Sequence, residues 1–169
     1  MFSIGDAVCY PMHGVGIIED TCIQSALGTT AEYYMLRFDN GRLTTMVPVD
    51  GAEKLGIRKV LSKDDCQKMF DYISNAKQIK FSSDWNMRRN AITELLHSGK
   101  PEDMIDVIIS LNSRSGYRGL STSEHRIVAA ATKTLVSEIN TVLGYDEEVV
   151  LGAINARLTE LKSSNKRLI

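Results

Sequence analysis

The spacing of apolar residues along this chain changes once. Up to about Val60 they alternate, and beyond it they recur every three to four positions. Side chains repeat every two residues on a strand and about every 3.6 on a helix. The chain must therefore build a sheet first and a helical layer after it. Each needs its own apolar face, so 169 residues are expected to form two small modules, 1–60 and 61–169. The class is α+β, a β module followed by an all-α module.

Within the first module Tyr34, Leu36 and Phe38 oppose Tyr33, Met35 and Arg37. Asp39-Asn40-Gly41 follows, a strong hairpin signal. Leu43, Thr45 and Val47 then oppose Thr44 and Met46, and Pro48 ends that strand because it cannot donate to a ladder. Ala7–Tyr10 and Val15–Cys22 read as two earlier strands around the turn Pro11-Met12-His13-Gly14. The expected result is a strongly bent antiparallel sheet, a small barrel of four or five strands.

The second module reads as five helices. Ser62 and Asp65 resemble a capping box ahead of Cys66, Met69, Phe70 and Ile73. Asp84 caps the next helix, with Met87, Ala91, Ile92 and Leu95 expected inward and Gly99 as its stop. Pro101 opens the third helix, where its missing N–H costs nothing, and Met104, Val107, Ile108 and Leu111 form its stripe. Ser121 and Glu124 make a capping box for the fourth, with Val128, Ala131, Leu135, Ile139 and Val142 inward and Gly144 at its end. Asp146 begins the fifth, with Val150, Ala153, Ile154, Leu158 and Leu161 inward, and 163–169 are expected to fray.

Composition bears on function mostly by exclusion. Apolar residues at 43% and charged residues at 24% give the balance of a folded globular chain. No stretch approaches the roughly 18 apolar residues of a membrane span. MFSIGDAV lacks the basic and apolar regions of a secretory signal, so a cytoplasmic protein is expected. Cys9, Cys22 and Cys66 have no CxxC spacing and are expected as buried thiols. His13, His97 and His125 have no metal-ligand spacing. His13-Gly14-Val15-Gly16 lacks phosphate-loop spacing and reads as a turn that uses glycine backbone. No serine lies in a nucleophile elbow. The expected protein is not an enzyme and uses no metal or cofactor.

A formal charge of -1 excludes nucleic-acid binding by bulk charge. The charges segregate nonetheless. Lys77, Lys80, Arg88 and Arg89 face only Asp84 over 77–89, and Arg114, Arg118 and Arg126 face only Glu124 over 114–126. The acids gather at Glu138 and at 146–148. Trp85, the single tryptophan, sits at the start of the second helix beside Asn86, and both Arg88 and Arg89 border it at i+3 and i+4. From the residues alone two readings stay open. The ring packs into a core, or it is an exposed wedge among cations that stacks on a base or enters a minor-groove step.

Four stretches carry a resemblance over most of the chain: FSIGDAVCYPMHGVGIIED (2–20), YYMLRFDNGRLTTMVPVDGAEKLGIRKV (33–60), DWNMRRNAITELLHSG (84–99) and RGLSTSEHRIVAAATKTLVSEI (118–139). In this order they resemble the CarD/CdnL transcription regulators of bacteria. The first two are also similar to the polymerase-interaction domain of the transcription-repair coupling factor. The tryptophan-plus-arginine helix start and the RGLS…E segment point to the stand-alone regulators.

The resemblance implies a Tudor-like β domain that docks on the RNA polymerase β subunit through an edge strand, here Arg42, Leu43, Thr44, Thr45, Met46 and Val47. It implies a helical domain that reaches promoter DNA at the upstream edge of the melted region, with little sequence specificity. Trp85 would be the minor-groove wedge with Asn86 beside it, and Arg88, Arg89, His125, Arg126 and Lys133 would hold the backbone. The protein would be cytoplasmic and nucleoid-associated, monomeric when bound, with no cofactor. Met46 stands where some relatives carry arginine, which makes the polymerase contact more apolar. His125 stands where relatives are basic, which makes the DNA contact weaker and pH-dependent.

Two rival readings belong to other classes. One is a protein-interaction adaptor that uses the β domain without DNA contact. The other is an enzyme with a site between the domains.

Overall fold

The computed structural model describes residues 1–26, 28–38 and 42–166. Five strands, β1 (Ala7–Tyr10), β2 (Gly14–Ala26), β3 (Thr29–Phe38), β4 (Leu43–Pro48) and β5 (Arg58–Lys59), form one antiparallel sheet in the order β4-β3-β2-β1-β5. Phe38 pairs with Leu43, as a tight hairpin requires, while Asp39-Asn40-Gly41 itself lies outside the described residues. β2 and β3 run longer than their apolar alternation indicated, to Ala26 and from Thr29. A bulge at Glu19 shifts the register between Ile18 and Asp20, and Glu19 pairs there with Arg37 at 2.8 Å.

The sheet encloses Val8, Ile18, Tyr34, Leu36, Phe38 and Val47, closed by Ala52 and Ile57. The glycine of β2 has a packing reason. A Cβ on Gly16 would sit 2.7 Å from the Phe38 ring. In the turn before β2, the His13 N–H donates to the Tyr10 carbonyl at 3.0 Å and Met12 adopts φ 69°. Proline followed by a left-handed residue is the pattern of a type II turn. Met12 is not glycine, and its side chain is held against the helical core.

The helices are α1 (Lys63–Asn75), α2 (Trp85–His97), α3 (Pro101–Arg118), α4 (Thr122–Leu143) and α5 (Glu147–Lys166). Their starts follow the capping chemistry. The Ser62 hydroxyl accepts from the Asp65 N–H, an Asp84 carboxylate oxygen from the Met87 N–H, and Ser121 with Glu124 completes a reciprocal box. α3 opens on Pro101, and Gly144 ends α4 in the left-handed region at φ 70°. The second core comprises Met69, Ile73, Ile92, Leu96, Met104, Ile108, Leu111, Leu135, Ile139, Val150 and neighbours.

Two sequence expectations change. α5 continues through Lys166 instead of fraying from 163. On α2 the buried row is Arg88, Ile92 and Leu96, whereas Met87 is exposed and Ala91 and Leu95 are half-buried. The two rows differ by a single position, and burial of Arg88 decides between them.

Candidate functional site

The site starts from the N-terminus of α2. Asp84 caps the helix with a 2.8 Å bond from the Met87 N–H, and the Ser82 hydroxyl accepts from the Asp84 N–H at 3.1 Å. Trp85 is therefore held at a fixed first turn, and 38% of it remains exposed. Of the two readings of this ring, the exposed one fits the structure.

Beneath the ring lies Arg88, its guanidinium carbon 5.5 Å from the ring centroid. Such a stack contributes about 0.5–2 kcal/mol, more as water is excluded. Arg88 is only 8% exposed. Its Nε donates to Glu124 at 2.8 Å, and Nη1 donates to the carbonyls of Ser82 and Ser83 at 2.8 and 3.0 Å. Arg88, expected at DNA backbone, has its Nε and Nη1 engaged inside the protein. It supports the tryptophan from below and fastens α2 to α4.

Glu124 is 4% exposed and receives the Ser121 N–H and hydroxyl, each at 2.8 Å, besides Arg88. Burial alone would raise its pKa. The Ser121 bonds and the Arg88 charge outweigh that and hold it below its ordinary 4.5. One carboxylate thus closes the capping box of α4 and anchors α2.

Asn86, Arg89, His125, Arg126 and Lys133 are all exposed. Arg89 follows Trp85 by one turn on the same face. His125 and Arg126 follow Glu124 in the first turn of α4, and Lys133 lies about two turns beyond Arg126. Among the described residues, Arg89, Arg126 and Lys133 enter no salt bridge. The Arg88–Glu124 pair brings the starts of α2 and α4 side by side, so the aromatic ring, Arg89, His125 and Arg126 lie at those starts, with Lys133 midway along α4.

The expected docking strand, β4, is an edge of the sheet. Arg42, Leu43 and Thr44 are exposed, Met46 is 51% exposed, and Thr45 is half-buried. Met46 pairs with Met35 across the ladder and lies 3.7 Å, sulfur to sulfur, from Cys22. Val47 differs from the rest, since its side chain is buried in the β core and only its backbone faces the edge. An edge strand that exposes Leu43 and Met46 suits strand addition by another protein.

Two residues outside these sets also matter. Arg58 on β5 reaches Glu138 in the second half of α4, a buried pairing absent from the expected site residues. Glu138 is 1% exposed. The signal was present: Glu138 falls within the stripe of Ala131, Leu135 and Ile139, at a position that otherwise takes an apolar side chain.

Among the described residues no helix is long and apolar enough to cross a membrane, and no cluster of His, Cys, Asp and Glu is placed to hold a metal ion.

A sheet module with a bare edge, followed by a helical module that exposes tryptophan and cations, matches two family descriptions in sequence order. CarD-like/TRCF RID domain covers residues 2–61, and CarD, C-terminal domain covers residues 68–155. The chain belongs to the CarD-like family of transcription factors. A relative in Bacillus subtilis (strain 168), named "Putative transcription factor YdeB", is 27% identical over 153 residues, spanning 89% of this chain and 97% of that protein.

Proposed function

We propose that this protein regulates transcription by docking β4 on the β subunit of RNA polymerase and stabilising the open promoter complex. The β module, 1–60, makes the protein contact, and the helical module, 61–169, makes the DNA contact. Trp85 enters the minor groove at the upstream edge of the bubble, while Arg89, His125, Arg126 and Lys133 meet phosphates and Asn86 lies beside the wedge. The protein works in the cytoplasm, at the nucleoid.

The observation that carries this reading is Trp85 itself. A large ring stays partly in solvent although its helix is capped, its underside is packed on a buried arginine, and its neighbours are cations. A group that fits opened or distorted DNA better than closed duplex shifts the equilibrium by its differential affinity. A difference of about 1.4 kcal/mol changes the population tenfold. The few available cations suit a targeted contact made after recruitment, not binding by charge alone.

The test is a reconstituted promoter-opening assay with core polymerase, its initiation factor and promoter DNA. Trp85→Ala should keep polymerase binding in a pull-down and lose the effect on open-complex lifetime. Met46→Glu should lose both. Full activity of Trp85→Ala would remove the wedge and leave the adaptor reading.

A further inference from the structure

The sheet and the helices meet at a joint built from several different kinds of contact. Arg58 donates from Nη2 to Glu138 Oε2 at 2.8 Å and from Nε to the Gly99 carbonyl at 2.6 Å. Its Nη1 completes a two-pronged grip on the same carboxylate. The Leu61 N–H donates to Glu138 at 3.0 Å, just where the chain leaves the sheet. A Cβ on Gly99 would lie 2.9 Å from the Gly56 carbonyl oxygen, and one on Gly56 would lie 3.0 Å from the His97 carbonyl oxygen. The two backbones therefore touch with no room for a side chain. The Val15 N–H reaches the Ser137 hydroxyl at 3.4 Å, and Met12 packs into the helical core.

α4 links this joint to the tryptophan. Glu124 and Glu138 are both buried on α4, about 21 Å apart along its axis at 1.5 Å per residue. Each takes an arginine from another element: Arg88 from the tryptophan helix, Arg58 from the sheet. The wedge and the docking sheet are thereby pinned to one rigid rod at two charged pegs.

We propose that Arg58 and Glu138, with the Gly56–Gly99 contact, are positioning residues that hold the docking strand and Trp85 at one fixed separation and angle. The inference rests on the functional reading above, and it says why a weak DNA contact suffices. A tether that matches the span of its two sites gives the highest effective concentration at the second, and a loose one dilutes it. The bidentate Arg–carboxylate fork adds direction as well as energy, which a lysine could not supply.

The test uses the full chain with nitroxide labels at Asp50→Cys and Asn155→Cys in a Cys22→Ser background. Both label positions are exposed and lie outside the two interfaces. The parent should show one narrow label-to-label distance. Glu138→Gln removes the charge and leaves Arg58, whose side chain keeps 21% exposure, free to turn to water. We expect a broadened distance, polymerase binding within about twofold, and open-complex lifetime reduced by about tenfold or more.

Gly99→Ala, which forces the joint open from the backbone, should behave alike if Glu138→Gln does not fold. An unchanged narrow distance in both variants, or a broadened distance with full promoter activity, overturns the proposal. A parent chain without effect on promoters sinks the functional reading instead, and the distances still decide whether the joint is rigid.

Discussion

Arg88 on α2 and Glu124 on α4 form a buried pair, Nε to Oε1 at 2.8 Å, directly beneath the exposed Trp85 ring. Three tasks converge on it. Glu124 closes the capping box of α4, Arg88 neutralises it and binds the backbone ahead of α2, and the guanidinium floor sets the position of the tryptophan. A buried pair is weak support for stability as a pair, yet removing one partner strands the other charge at about 3–5 kcal/mol.

Arg88→Ala and Glu124→Gln should each lower unfolding free energy by about 3 kcal/mol, and the double variant by clearly less than the sum. Urea unfolding measures all three. Trp85 is the single tryptophan, so its emission gives a second readout. Loss of Arg88 should shift the emission and weaken promoter opening in proportion. Additive losses would show that the two residues act independently.

Acid should undo the same pair. Glu124 is held below its ordinary 4.5 by Ser121 and Arg88, despite burial. A depressed carboxylate contributes fully above its unfolded-state value and loses that contribution as pH falls through its folded value. Stability of the native chain should therefore fall faster below about pH 4.5 than that of Glu124→Gln, and the two curves should converge. Parallel curves from pH 7 to pH 3 would remove the role assigned to Glu124.

The thiols should divide by environment. Burial, then the nearby Glu138 charge, pushes Cys9 up to about 12, and the same causes push Cys66 to about 11. Both stay protonated and enclosed near neutrality, whereas Cys22 is partly exposed beside Met46. Alkylation of the native chain at pH 8 should modify Cys22 alone, and denaturant should release the other two. Bound polymerase should slow the Cys22 reaction if β4 is the docking edge.

Gly16 tests the β module separately. Gly16→Ala places a methyl 2.7 Å from the Phe38 ring and 3.0 Å from the Arg37 carbonyl oxygen. Overpacking of this kind costs about 1–3 kcal/mol. Thermal unfolding should show the loss, and the mild alternative, an unchanged midpoint, would mean that Phe38 moves aside freely.

Much of this architecture could be read from local chemistry. Strands β1 to β4, four of the five helix starts and the Gly144 stop follow from alternation, capping residues and glycine, which act within a few residues of chain. The stripes of α3, α4 and α5 also hold, since Leu111, Leu135, Ile139, Val150 and Ile154 are buried as their spacing requires. The exposed cations around Trp85 were legible too, because charge clustering is a property of the sequence.

The roles of individual charges were not legible. From the sequence Arg88 and Glu138 read only as members of a basic and an acidic group, and both are buried. Their partners, Glu124 and Arg58, are remote in sequence, and nothing within one helix tells whether a charged residue in its stripe will meet an opposite charge or water. The same gap moved the buried row of α2 by one position, since burying an arginine is favourable only with Glu124 in place.

The sequence by itself determined strands β1 to β4, the five helices and the apolar stripes of α3, α4 and α5, because those depend on local dihedrals, caps and period. Only the tertiary structure decided that Arg88 and Arg58 are internal pegs on α4, that β4 is a free edge, and that Gly56 and Gly99 press the two modules together. Those outcomes depend on which surfaces lose water to each other, and desolvation is settled only when the whole chain is packed.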